Sequence, residues 1–304
     1  MSATRAVEIR PARAWLLASR PATLPAAAVP VFVGAGAAIG EGSILRPLVL
    51  AVTLLCALLI QIGTNFANDY SDFHRGADHE GRLGPVRVTQ SGLITQEGVR
   101  RGIVVAFGLA ALLGAWLAWI GGWPIIAIGV LSIISGLAYT GGPFPFGYHG
   151  FGDIFVFVFF GLVAVTGTAF LQTGTWSQFA LVLAIPVGLL VTNILVVNNL
   201  RDLPTDRAAN KRTLATRLGD RATRAQYALF VVVSYAVPLF LAIADASHRW
   251  LMLTWLTLPL AFILTRSVLG GLAGRELNPI LRKSGQLLLL FGILLAAGAA
   301  IGRA

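Results

Sequence analysis

The sequence predicts an all-α protein that crosses a membrane many times, folded as one domain over residues 1–304. Three observations lead there. The chain is 56% hydrophobic and only 12% charged, with a mean hydropathy of +0.78. Its apolar residues fall in nine runs of roughly 18 to 22, each long enough to cross a hydrocarbon core of about 30 Å as helix. Its cations alternate from loop to loop. That alternation, rather than a basic domain for nucleic acid, accounts for the net charge of +10.

The runs lie at 22–40, 46–67, 99–119, 123–140, 152–171, 179–200, 223–243, 249–269 and 284–302. The first follows an Arg-bearing start and resembles a signal peptide, but its length and its prolines at 21, 25 and 30 favour a retained helix. Cys56, the single cysteine, sits mid-way along the second and excludes a disulfide or a CxxC site. Gly-rich patches such as Gly141-Gly142 serve turns and close helix packing. Of the 23 Lys and Arg, 20 fall on the N-terminal segment and on alternate loops; only Arg46, Arg249 and Arg303 lie opposite. The positive-inside rule then puts the N-terminus in the cytoplasm and, after nine spans, the C-terminus outside. A bacterial cytoplasmic membrane is the expected location.

Polar residues in such helices are costly and tend to face a cavity or the bundle interior. Gln61, Asn65, Asn68 and Asp72 are spaced by four, three and four, which puts them on one helical face. Thr192, Asn199, Asp202 and Asp206 make a second stripe, which Pro204 is expected to end or kink. An offset of 130 residues superposes Asn68-Asp69 and Asp72 on Asn198-Asn199 and Asp202. This suggests a weak parallel repeat of four helices plus a ninth, with a central polar cavity at the repeat interface, opening to the cytoplasm.

Asp69, Asp72 and Asp78 form one acidic group, and Asp202 with Asp206 the other. Like charges three or four residues apart weaken a helix unless a cation compensates them. Mg²⁺ suits the pattern, since it takes one or two carboxylates and completes its octahedron with water and phosphate oxygens. Arg75, Arg82, Arg87, Lys211 and Arg212 are interleaved with the acids and are phosphate ligands by type. Acid and base together point to a metal-bridged diphosphate. The bland alternative is a solvated charged loop, but seven of the 13 acidic residues fall in these two segments. The four histidines have no zinc spacing. A third stretch, YTGGPFPFGYHGFGD at residues 139–153, carries no Lys or Arg. Its Pro143, Pro145 and tyrosines suit plain turn chemistry; on the functional reading Tyr139 and Asp153 face the cavity, beside a Phe-rich helix that holds something long and apolar.

These segments, with RPATLPAAAVPVFVG from Arg20, NDYSDFHRGADHEGRLGPVRVTQSG from Asn68 and NNLRDLPTDRAANKRTLATRLG from Asn198, resemble the UbiA superfamily of intramembrane aromatic prenyltransferases over about residues 15–302. The resemblance implies Mg²⁺ held by Asp69, Asp72, Asp78, Asp202 and Asp206. It implies a polyprenyl diphosphate bound in a cavity open also to lipid, with the help of Asn68 and Asn199 beside the Arg and Lys residues above. Asp72 and Asp206 would be essential to turnover, with Asn65, Tyr139 or Asp153 orienting the acceptor ring or assisting its deprotonation. The third Asp stands six residues after Asp72 rather than four. Together with RLGPVR, this favours the branch that prenylates 1,4-dihydroxy-2-naphthoate over those acting on 4-hydroxybenzoate or homogentisate. Asn210 stands where that branch usually has Gly, a mild change because Asn tolerates positive φ. Outside the enzymes, a transporter or lipid-binding protein also carries repeats and midplane polar groups.

Overall fold

A computed structural model describes residues 10–75, 83–84 and 87–302 of the chain. Every regular element among them is helical. Helix α1 (Pro11–Ser19) and α2 (Pro25–Gly40) take the place of the expected first span and meet at a 52° bend. Local chemistry makes the break. Arg20 adopts the left-handed conformation at φ 50°, and Pro21 and Pro25 bring no amide hydrogen to a continuous ladder.

The remaining elements are α3 (Pro47–His74), α4 (Gln96–Gly121), α5 (Trp123–Ala138), α6 (Gly152–Thr173), α7 (Gln178–Ala208), α8 (Leu214–Leu218), α9 (Asp220–Ala244), α10 (Ala246–Leu269) and α11 (Leu277–Ile301). Seven described helices are long and apolar enough to span a membrane, and eight if the bent α1–α2 pair counts as one. Helix α5 is apolar but has only 16 residues, about 24 Å of helix. The expected nine spans are therefore not reached by length and composition. Pro204, expected to end or kink its helix, does not end it: α7 runs on to Ala208 with Pro186 and Pro204 inside it.

Helix α7 is the axis of the bundle. Of its most apolar stretch 72% is buried, against 22% for α4. Leu183 and Val187 of α7 form one core with Val29, Val165, Tyr227, Leu264 and Phe291, drawn from α2, α6, α9, α10 and α11. A second cluster, with Val49, Cys56, Ala110 and Leu117, joins α3 to α4. Small residues permit the closest approaches, as expected where lipid supplies no hydrophobic drive between helices. A Cβ on Gly36 of α2 would fall 2.4 Å from the Ala296 carbonyl oxygen of α11. Helix α6 is wound as a π-helix over Phe157–Val163, and there Gly161 rests against the backbone of Gly188 in α7.

Candidate active site

The polar stripe on α3 divides into two parts. Its lower half stitches the α1–α2 bend. Gln61 Nε2 donates to Thr23 Oγ1 at 3.1 Å, and Asn65 Nδ2 donates to the Ser19 carbonyl at 3.0 Å and to Thr23 Oγ1 at 3.2 Å. The helix end that the prolines leave open is thus satisfied by an amide from the next helix. The upper half turns to the polar end of the bundle, where Asn68 Oδ1 accepts a 2.8 Å bond from Thr140 Oγ1.

Asp72, one turn further, is buried and fully engaged. Its Oδ2 pairs with Arg87, which is equally buried, and its Oδ1 accepts a 2.7 Å bond from the Tyr148 hydroxyl. Lys211 Nζ stands 4.0 Å from the same Oδ1 and 4.0 Å from Oδ1 of Asp206. One ammonium group therefore faces carboxylates from two different helices. Lys211 reaches this point through a tight turn after α7, in which its amide donates to the Asp206 carbonyl at 2.9 Å. Asn210 turns at φ 54°, the left-handed value that Asn accepts more readily than most residues.

The other two described acids have different partners. Asp69 accepts from the amides of Val88 and Thr89 at 3.2 and 3.0 Å and from the Thr89 hydroxyl. Asp202 takes a two-pronged bond from Arg201, Nε to Oδ1 at 2.8 Å and Nη2 to Oδ2 at 2.6 Å. Arg201 is only 1% exposed. It also donates to Asn198 and Asn278, and Asn278 donates to the Leu83 carbonyl. A buried guanidinium is tolerated because each of its faces meets an acceptor. Asn199 is buried in the same turn of α7.

The 139–151 loop closes over this cluster. Arg75 donates to the Gly142 carbonyl. The amide of Arg212 bonds the Tyr148 carbonyl at 2.9 Å, while the Arg212 side chain is exposed. Arg217 bonds the His149 carbonyl at 2.9 Å. Tyr139 lies within electrostatic reach of Asp153, Asp72 and Asp206. A Cβ on Gly152 would come 2.9 Å from its phenol oxygen, so only glycine leaves room for the ring. Asp153 accepts from Gln226 Nε2 at 2.9 Å, and its other oxygen has no partner among the described residues. Asp78 and Arg82, expected to belong to the first motif, lie outside the described residues.

Beneath Tyr139 runs a narrow cavity of about 120 Å³ between α2, α3, α5 and α6. Gln61, Thr64, Ser132 and Ser135 supply its polar groups, and Phe155 and Phe159 form a wall. Phe146, Phe155 and Phe159 stack in a row with centroid spacings of 4.1 and 6.0 Å. An ionic end and an apolar slot thus meet at one tyrosine.

The donor set fits Mg²⁺. Among the described residues no group of three or more His, Cys, Asp and Glu stands close enough to cage an ion. Two carboxylates converging on one cation suit a metal that leaves its remaining positions to water and phosphate. Reasoning from sequence missed Tyr148, Thr140 and Gln226. None has a periodic signal, because each acts across 70 residues or more of chain.

The model of the UbiA prenyltransferase family matches residues 27–276. The chain is 40% identical to the 1,4-dihydroxy-2-naphthoate octaprenyltransferase of Mycobacterium tuberculosis, covering 95% of this chain and 97% of that one. It is 35% identical to the protein of the same name from Escherichia coli, covering 96% of each. Its fold is similar to a UbiA homolog from Archaeoglobus fulgidus, with a TM-score of 0.67 at 14% identity, over 95% of this chain and 100% of that one. A structure of a UbiA homolog from that organism bound to GPP and Mg²⁺ gives a TM-score of 0.60 at 11% identity, over 93% and 99% of the two chains. A family match that takes in both acidic helix ends, relatives aligned nearly end to end, and the shared helical fold lead to one conclusion: the chain belongs to the UbiA prenyltransferase family.

Proposed function

We propose that the protein transfers a polyprenyl group from polyprenyl diphosphate to 1,4-dihydroxy-2-naphthoate, with loss of CO₂ and diphosphate, as a step toward menaquinone. The observation that carries the reading is the placement of Lys211 between Asp72 and Asp206 at the head of an aromatic-walled cavity. Bound Mg²⁺ would neutralise the charge that builds on the departing diphosphate. Asp72 and Asp206 are its primary anchors, with Asn68, Asn199 and Asp78 beside them. Asp69 and Asp202 support these anchors through their own fixed partners.

Lys211, Arg87, Arg75, Arg82 and Arg212 supply positive charge toward the diphosphate oxygens, which favours ionisation of the allylic C–O bond. Phe155 and Phe159 line the slot for the isoprenoid and keep water from the resulting cation. The electron-rich naphthoate ring attacks that cation, and CO₂ leaves as the ring regains aromaticity. Tyr139, which lines the slot, and Asp153 orient the acceptor. Asn65 acts at a distance, by holding the α1–α2 bend. The N-terminus and the ionic end lie on the cytoplasmic side of a bacterial membrane, and the two acidic motifs mark two four-helix repeats of a single domain.

The test is purified protein supplied with a polyprenyl diphosphate, Mg²⁺ and carboxyl-labelled 1,4-dihydroxy-2-naphthoate. The expected result is release of labelled CO₂ with formation of a prenylated naphthol. Prenylation of 4-hydroxybenzoate or homogentisate in its place would move the protein to another branch.

A further inference from the structure

We propose that Tyr148 is a positioning residue for this reaction, whose hydroxyl sets Asp72 and whose ring face carries the Lys211 ammonium. The inference rests on the metal–diphosphate reading above. The hydroxyl donates to Asp72 Oδ1 at 2.7 Å, and Lys211 Nζ lies 4.3 Å from the ring centroid. Arg75 approaches the same ring, with Cζ at 5.7 Å. One side chain therefore touches an acid of the first motif and a base of the second.

Its own backbone is held firmly. The Tyr148 amide bonds the Pro145 carbonyl at 3.0 Å within a 3-10 turn, and its carbonyl accepts from Arg212, the residue after Lys211. Arg217 holds the neighbouring His149 carbonyl. At Gly150, φ 83°, a Cβ would come 3.0 Å from the Arg212 carbonyl oxygen, so only glycine lets the loop pass so close. Tyr148 and Lys211 are thus clamped together by backbone before either side chain is considered.

The two contacts do different things. With Arg87 on Oδ2 and Tyr148 on Oδ1, both oxygens of Asp72 are fixed, and the remaining lone pairs point in a defined direction. Such outer partners commonly govern how well a carboxylate holds a metal. Lysine is a point charge on a flexible stem, and an aromatic face restricts where that charge sits by attraction to its quadrupole. Tyrosine does both here, whereas phenylalanine keeps the ring and lacks the donor.

Phenylalanine also separates the two effects. Wild type, Tyr148→Phe and Tyr148→Leu, each shown by thermal unfolding to be folded, are titrated with Mn²⁺ by electron paramagnetic resonance. Polyprenyl diphosphate is present and no acceptor is added to this titration; the donor KM is measured separately, in turnover with the acceptor. Tyr148→Phe is expected to weaken Mn²⁺ binding about tenfold while the donor KM stays within about twofold, because the ring remains under Lys211. Tyr148→Leu is expected to weaken Mn²⁺ as much and to raise the donor KM about fivefold as well. Unchanged Mn²⁺ binding by Tyr148→Phe overturns the hydroxyl's role, and equal donor KM values in the two variants overturn the ring's. The metal titration needs no acceptor, so a wrong acceptor leaves it readable. A wild type that binds no Mn²⁺ overturns the metal reading itself.

Discussion

The ends of α3 and α7 carry matching acidic motifs, yet each divides its acids between two tasks by different means. At the end of α3, Asp69 is held by neutral donors, two amides and a hydroxyl of the 88–89 turn, while Asp72 faces Lys211. At the end of α7, Asp202 is held by a full charge, the buried Arg201, while Asp206 faces the same lysine. The first motif uses its spare acid to fasten a loop. The second uses its spare acid to neutralise a guanidinium that ties α7 to Asn278 and, through it, to Leu83. Four similar acids thus make two inward-facing groups and two fasteners, and residue type alone does not say which is which.

Substitutions at the four acids test that division. Asp72→Asn and Asp206→Asn are expected to do the most harm to turnover, roughly a thousandfold, a loss of several kcal/mol in transition-state stabilisation. Both variants should stay folded, as judged by size-exclusion profile and unfolding midpoint. Near-normal turnover in both would remove the two inward-facing acids from the chemistry. Arg201→Met comes next and acts on stability. It leaves Asp202 largely buried beside an apolar chain, at a cost of about 3–5 kcal/mol, seen as a large drop in unfolding midpoint. Adding Asp202→Asn should recover part of that drop; no recovery would mean that Arg201 matters for packing rather than for its charge pair.

Asp69→Asn should be milder, since Asn keeps one acceptor for the turn, with a cost of about 1–3 kcal/mol. Proteolysis near residues 88–94 should quicken while turnover stays above about a tenth of wild type, the equivalent of 1.4 kcal/mol in barrier. Smallest of all is Asn65→Ala, which loses two bonds at the α1–α2 bend. About 1 kcal/mol of stability is expected, with turnover little changed. A large fall in turnover with stability intact would return Asn65 to direct contact with substrate.

The helical, membrane-crossing character of the chain, though not the count of nine spans, and the correspondence of the two motifs were legible in the sequence, because hydropathy and helical spacing are local properties. Gln61, Asn65, Asn68 and Asp72 do lie along one helix, and Asp206 and Lys211 do meet. The division between Asp69 and Asp72 was not legible. Three residues separate them by only about 60° around a helix, so spacing reads them as companions, and only the position of the 88–89 turn draws one aside. Pro204, expected to end or kink its helix, does not end it, for a related reason: propensity is a local bias that surrounding packing overrides. Tyr148 stood in plain view in PFGYHGFGD, but its partner is 76 residues away, and no pattern within the loop points to it.

The π-helical stretch of α6 sets a rotational phase. A π turn holds one more residue than an α turn, so the helix before Phe157 is offset by about 100° from what uninterrupted winding would give. Gly152 and Asp153, at one end, meet Tyr139 and Gln226, while Val165 and Ala169, at the other, pack into the core. Removing one residue between 157 and 163 would return the helix to a single phase. The two ends could not then both keep their partners, so the length of this segment carries information that no single side chain in it does.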